Sequence, residues 1–350
     1  MTLCPTRFDA VFKLRPWGLH SLAPFFPGQT NLAEAVGEAW MTGSECTLAN
    51  GPFAGAALGD AWPRMPAEWS GTKADHDAPF PILVKFIFTS QMLSVQVHPP
   101  DDYAAAREKA AGGRGKTEMW YAMDAQPGAQ VFVGLRPGAT REKFQRAIAD
   151  GTADACLEKI PLHRGEAIFV PAGTVHTIGP GLALCEIQEH SDLTYRVFDY
   201  NRRDAQGKPR ELHVQKALDV IQFGEQGGGK IEPVRIERGA VSETYFVACR
   251  YFATEKWEFS ERVAAASSRE HFDLLIFLEG AGNIEWGKER LGFAPMQVWM
   301  IPAALGAYRL APDSRTALLR TYVPEHLDKF VERLTERGIG EEEWSRLVYP

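Results

Sequence analysis

The sequence predicts an all-β protein built as two sandwich-like units, the second a worn copy of the first, with a few helices at the edges. Three observations predict it. Short apolar runs are broken by turn residues along the whole chain, which holds 23 prolines and 32 glycines. Helical periodicity is confined to four short stretches. Three successive glycines, Gly227, Gly228 and Gly229, divide two stretches that share a strand followed by a Pro-Ala turn. A chain of 350 residues with 45% apolar content suits two cores better than one.

In chain order, the clearest strands are 82–89, 93–98, 130–135, 167–170 and 182–188. Many short strands with few helices indicate antiparallel sandwiches or barrels. The helical stretches are 102–111, 140–149, 214–223 and 325–337. In the last of these, Leu327, Phe330, Val331 and Leu334 recur at i, i+3, i+4 and i+7. They read as connectors and caps. Beyond the three glycines, aligning Pro171 with Pro302 sets GEAIFVPAGTVH (165–176) against MQVWMIPAALGA (296–307), and a turn-bearing strand pair at 274–286 lies upstream of the copy. Ala307 then stands where the first stretch has His176. The expected division is a site-bearing unit at 1–226 and a unit at 230–350 that keeps the fold and has lost the site.

The charge balance, 38 basic against 45 acidic residues for a net −7, is spread without long runs of one sign. It argues against a nucleic-acid or anionic-membrane partner. The five cysteines are odd in number and share no metal-ligand spacing, as expected for reduced thiols in a cytoplasmic protein. No apolar stretch approaches the length of a membrane span, and MTLCPTRFDA lacks the basic start and apolar run of a secretion signal.

Chemistry concentrates in three blocks. Gly165, Pro171, Gly173 and His176 describe a strand entering a tight turn that aims a histidine from the next strand, since glycine permits the reversal and proline fixes its entry. In LSVQVHPPDD (93–102) the period of two puts Gln96 and His98 on one face and Val95 and Val97 on the other. In GKTEMWY (115–121) Glu118 sits among large apolar residues beside Lys116, where a buried carboxylate needs a cation. Two histidines, a carboxylate and an amide form a mixed nitrogen and oxygen set suited to one divalent metal, zinc above all, with manganese, iron or cobalt as substitutes. Such a set leaves a coordination position open for water or substrate. Lys85, inside the apolar run PILVKFIF, needs either a buried carboxylate or a substrate phosphate. Arg196, within the β-like stretch 194–200, can bind phosphate or an oxyanion, or can pair with Asp192 or Asp199.

The spacing from Gly165 to His176 is similar to the second motif of the cupin superfamily, with Pro180 standing where that motif usually ends in asparagine. QVHPPDD, GKTEMWY, PAGTVHTIGPG and EIQEHSDLTYRVFDYNR, preceded by RPWG, VGEAW and LVKF, together resemble the short bacterial class of type I mannose-6-phosphate isomerases. The resemblance covers about two thirds of the chain and is weak beyond residue 230. It implies two cupin-like jelly-roll units, the second degenerate, and interconversion of mannose 6-phosphate and fructose 6-phosphate through a cis-enediol. It also implies a small phosphosugar as substrate, His98, Glu118 and His176 as metal ligands, Gln96 as their neighbour and Arg196 as the catalytic arginine. Lys85 and Gln96 are expected to touch substrate, and Lys116 and Asp192 to serve catalysis. The base stays open among Lys116, Asp192, Glu118 and a hydroxide on the metal. Two rivals share these ligands: a cupin dioxygenase, which normally has a further histidine where Gln96 stands, and a sugar-binding cupin without chemistry.

Overall fold

A computed structural model of the chain describes residues 2–203, 207–224 and 227–350; residue 226, the expected end of the first unit, lies outside them. The molecule consists of two cupin-type jelly-roll sandwiches. In the first, a seven-stranded sheet runs Gly229–Lys230, Ala167–Val170, Glu118–Ala125, Leu182–Glu189, Ile82–Phe88, Val36–Trp40 and Val11–Leu19. It faces a five-stranded sheet of Tyr195–Phe198, Val95–Val97, His176–Ile178, Gln130–Leu135 and Leu157–Pro161. The inner faces close on Ile87, Trp120, Val131, Ile168, Val170 and Leu184. The period of two then decides where the site lies. Two residues from Ile87, Trp120 and Leu184 along their strands come Lys85, Glu118 and Glu186, so one inner face is apolar at one end and charged at the other.

The second unit repeats this plan. Its larger sheet contains Val298–Ile301, Asp273–Glu279, Thr316–Tyr322, Ala253–Phe259 and Val241–Cys249, and a four-stranded sheet covers it. Strand register shows the correspondence residue by residue. Glu118 lies opposite Val170 and Asp273 opposite Ile301, the residues before Pro171 and Pro302. Lys85 lies opposite Glu186 and Glu255 opposite Arg320. His176 and Ala307 each open the strand after the turn. Where the first unit gathers histidines, the second has a buried guanidinium, with Arg320 bridging Glu255 at 2.7 Å and Asp273 at 2.9 Å. Burial favours the neutral form of Arg320, but the two carboxylates outweigh it and hold the group charged.

The two sandwiches pack through the outer faces of their larger sheets. That core joins Phe86, Tyr121 and Phe169 of the first unit to Tyr245, Phe246 and Phe252 of the second. Strands cross between them: Thr6–Arg7 pairs with Met300 and Trp299 in the second unit's sheet, while Gly229–Lys230 pairs with Phe169 and Ile168 in the first. The helices are peripheral and shorter than their sequence periodicity suggests, at Asp101–Arg107, Arg141–Ala149, Val214–Val220 and Leu327–Glu336. The first of them breaks at Glu108, whose backbone leaves the helical region at φ −125°, before the short turn Lys109–Ala111. No helix of the described residues is long and apolar enough to cross a membrane.

Candidate metal centre and active-site cavity

His98 follows the strand Val95–Val97, Glu118 begins Glu118–Ala125, and His176 begins His176–Ile178. Their ligand atoms lie within 4.8 Å of one another, and among the described residues this is the one such cluster of three. The turn before His176 is fixed from both sides. Gly173 (φ +85°) donates its N–H to the carbonyl of His98 at 2.8 Å, and a Cβ there would sit 3.0 Å from the Val220 carbonyl oxygen. The turn thereby ties one histidine's strand to the other's.

Each histidine is oriented by a backbone carbonyl. His98 Nδ1 donates to Leu193 O at 2.8 Å and His176 Nδ1 to Thr174 O at 2.9 Å. A carbonyl can only accept, so both Nδ1 atoms carry the proton and both Nε2 lone pairs point inward. Burial pushes His176 down to about 4, and burial, then the neighbouring Lys116, pushes His98 well below the usual histidine range. Both rings are held neutral. Glu118 Oε1 faces the two lone pairs at 3.4 Å from His176 and 3.7 Å from His98, buried and without any hydrogen-bond partner. Lys116 reaches His98 Nε2 and the other Glu118 oxygen, and the Gln96 amide lies near His176 Nε2, yet Glu118 Oε1 is left with no donor. Two neutral imidazole nitrogens and a carboxylate converging out of reach of water are a donor set that fits a divalent ion.

Beside the cluster, Lys116 donates to His98 Nε2 at 3.1 Å and ion-pairs with Glu118 Oε2. Gln96 lies opposite His176 in the register and its amide nitrogen is 3.3 Å from His176 Nε2. These two residues form the floor of a cavity of about 710 Å³. One wall carries Lys85, 2.9 Å from Asp192 and 3.6 Å from Glu186, with its ammonium 4.5 Å from the Trp40 ring. Burial would lower the pKa of Lys85, yet Asp192 and Glu186 together raise it above the ordinary lysine value. The Lys85 ammonium in turn holds Asp192, whose side chain is more than half exposed, below the ordinary carboxylate range. The opposite wall carries Arg196, which donates to Ser94 Oγ and to the Glu211 carbonyl, both at 3.2 Å. Neither Asp192 nor Asp199 pairs with Arg196. Asp192 takes Lys85, and Asp199 takes Arg202 and Arg210. His190 and His163, which lack any sequence pattern, lie apart from the cluster, His190 against Ser44 and His163 against Glu166.

All eight residues singled out in the sequence therefore line this cavity or lie directly beneath its floor. Sequence reasoning passed over Glu186. It is buried, with its pKa raised by burial, and accepts from Trp120 Nε1 at 3.2 Å while standing 3.7 Å from Lys116. The signal was present, since a glutamate inside the run LALCEIQE poses the same question as Lys85 inside PILVKFIF. Arg15, which opens the block RPWG and was given no role there, also lines the cavity, as do Arg210 and His213, which fall in none of the quoted blocks.

Comparison with known proteins bears on this geometry. The chain is 34% identical over 322 residues to mannose-6-phosphate isomerase ManA of Bacillus subtilis, covering 89% of this chain and 96% of that one. The chain belongs to the mannose-6-phosphate isomerase family. Residues 242–322 match the family model described as mannose-6-phosphate isomerase, cupin domain, within the half where the sequence motifs are faintest. The crystal structure of the mannose 6-phosphate isomerase from Bacillus subtilis superposes with a TM-score of 0.82 at 29% identity over 91% of this chain and 99% of that one. A zinc-bound mannose 6-phosphate isomerase shares the fold at a TM-score of 0.70 and 18% identity, over 91% of this chain and 99% of that one.

Proposed function

We propose that His98, Glu118 and His176 hold one divalent metal, zinc in the native protein, and that the cavity above them interconverts mannose 6-phosphate and fructose 6-phosphate. The observation that carries this reading is the unpartnered Glu118 oxygen facing two inward histidine lone pairs at the floor of a charged cavity. The relatives named above are isomerases of this substrate, and one neighbour in fold binds zinc. Residues 1–226 form the catalytic unit in this reading, and 230–350 form a unit whose equivalent positions are closed by Arg320. The five thiols are all free, which agrees with a cytoplasmic protein.

When bound, the metal supplies Lewis acidity to the two oxygens of the open-chain sugar, on C1 and C2. The chain's own residues supply the rest. Moving a proton between C1 and C2 needs a group able to take and return it, and Lys116 on the cavity floor is placed for that task. Glu186 stands 3.7 Å from the Lys116 ammonium and, with Glu118, faces it with a second carboxylate that can orient it toward the cavity. Lys85 and Asp192 neutralise each other across the wall and hold its shape, with Lys85 facing substrate oxygens beside Gln96. Arg196, which has no carboxylate partner among the described residues, brings a positive charge toward the developing enediolate. Gln96, where a dioxygenase would have its extra histidine, and the Lys116–Glu186 pair, which a passive sugar binder would not need, both favour the isomerase.

The purified chain should carry about one divalent ion per molecule and convert mannose 6-phosphate in a coupled assay. It should lose that activity to a chelator and recover it when zinc is returned. Full turnover by a sample that elemental analysis finds metal-free would end this reading.

A further inference from the structure

Beyond the metal, the cavity is electrically lopsided. Lys85 and Lys116 are surrounded by Glu118, Glu186 and Asp192. Around the arginines the balance is different. Arg15 grips Glu38 with two prongs at 3.1 and 2.9 Å. Asp199 is shared, with Arg202 bonding it directly and Arg210 approaching at 3.4 Å. Arg196 has only the neutral acceptors Ser94 and Glu211 O. Among the described residues, Arg15, Arg196, Arg202 and Arg210 thus have only Glu38 and Asp199 as carboxylate partners, so two positive charges lack a counterpart. The crowding is real, since burial and then the Arg210 guanidinium push Arg196 down to about 10. Three of these arginines, Arg15, Arg196 and Arg210, line the cavity together with His213.

The backbone holds this wall in one piece. His213 N donates to Arg196 O at 2.7 Å, and Arg196 N reaches His213 Nδ1 at 3.3 Å. With Nδ1 accepting, a neutral His213 carries its proton on Nε2 and is a donor. From the floor, hydrogen bonds run in succession from His176 to Gln96 at 3.3 Å, to Ser94 at 3.2 Å and to Arg196 at 3.2 Å. The strand Val95–Val97 thereby forms a polar track from the metal cluster to the arginines.

We infer that Arg210 is the seat of the substrate's phosphate, with His213 on the same cavity lining, and that Arg196 stands between this seat and the reacting carbons. The inference rests on the phosphosugar reading of the site. A phosphate monoester carries about −1.5 to −2 charges at neutral pH, which matches the two unpartnered positive charges. A guanidinium binds it with a planar fork. Arg210 is the specificity residue because Asp199 keeps Arg202 when Arg210 is lost, so the ion pair beneath it survives. The sugar would lie along Ser94 and Gln96 with C1 and C2 at the floor and C6 at the arginine wall.

The test is steady-state kinetics on metal-loaded Arg210→Gln and Arg210→Lys, with metal content and melting temperature measured alongside. A phosphate held equally in ground and transition states governs KM rather than kcat. Arg210→Gln should raise KM for mannose 6-phosphate about tenfold or more, leave kcat within about threefold, and weaken inhibition by inorganic phosphate by a similar factor to KM. Arg210→Lys should recover part of both losses, as a charge without the fork. Should the glutamine variant lose metal or melt early, the lysine variant carries the same comparison. Unchanged KM and unchanged phosphate inhibition in a variant with normal metal content overturn the assignment while the isomerase reading stands. A metal-loaded wild-type protein that does not turn over mannose 6-phosphate overturns both.

Discussion

At the scale of single residues, the site separates groups that hold from groups that react. Among the described residues Arg196 donates to neutral acceptors and pairs with no carboxylate, so its charge is available to whatever occupies the cavity. Arg196→Ala should therefore leave metal content and melting temperature nearly unchanged and lower kcat by about a hundredfold, equivalent to roughly 3 kcal/mol of transition-state stabilisation. Paired kinetics and thermal melts check this, and a variant that melts much earlier while its folded fraction turns over normally would make Arg196 a scaffold residue. The contrast with Arg210, whose loss should fall on KM, follows from the proposed placement of one guanidinium at the enediolate and the other at the phosphate. His98, Glu118 and His176 could be singled out in the sequence because each sits in a local pattern, and Arg196 because the block around it resembles the family's. Arg210 was not, because its importance arises from Asp199, eleven residues away and already engaged by Arg202. Charge balance in a cavity is a property of three dimensions, and no spacing along the chain announces it.

Among the elements, the loop that delivers Lys116 is clamped from below. Gly115 N donates to Asp101 Oδ1 at 2.8 Å and Lys116 N to the Pro99 carbonyl at 3.2 Å. Asp101 Oδ2 in turn accepts from Tyr251 and Arg250 of the second unit, both at 2.7 Å. The approach is so close that a Cβ on residue 115 would lie 2.7 Å from Asp101 N and 2.9 Å from Pro99 O. Gly115→Ala must push the loop away, and a displacement near 1 Å at a reacting group can cost about a hundredfold in rate. The expected outcome is a fall in kcat of about that size, with substrate affinity changed far less; unaltered turnover would mean that Lys116 needs no fixed position. The strands were readable as short apolar runs bounded by turn residues, and 130–135 and 167–170 agree with the structure at both ends. Helix ends were read too long, because periodicity marks which face is apolar and does not reveal where the backbone turns away, as it does at Glu108.

For the whole molecule, the second unit acts as a partner in stability. Its buried Arg320 balances Glu255 and Asp273, and removing one member of such a network strands the others, at about 3–5 kcal/mol. Arg320→Met should lower stability by that amount and leave kcat per folded, metal-loaded molecule unaltered. Because one apolar core spans both sandwiches, metal release from the first unit and loss of tertiary structure in the second should shift together along a urea titration. Two separated transitions would show that the units fold apart. The repeat was visible in sequence as one Pro-Ala turn, and the register of Glu118 with Asp273 needed the paired strands. The crossing of Thr6–Arg7 into the far sheet also sets a schedule. At roughly 5–20 residues per second of synthesis, that strand waits on the order of 15 to 60 seconds for Trp299 and Met300 to be made. The metal ligands, all within the first 176 positions, are made well before then. During this interval the catalytic sandwich has its chemistry and lacks its cover, with Phe86, Tyr121 and Phe169 facing water. The newborn chain thus has its metal-binding residues earlier than it is safe from sticking to its neighbours, and the step it must hurry is the arrival of the half that covers those aromatic side chains.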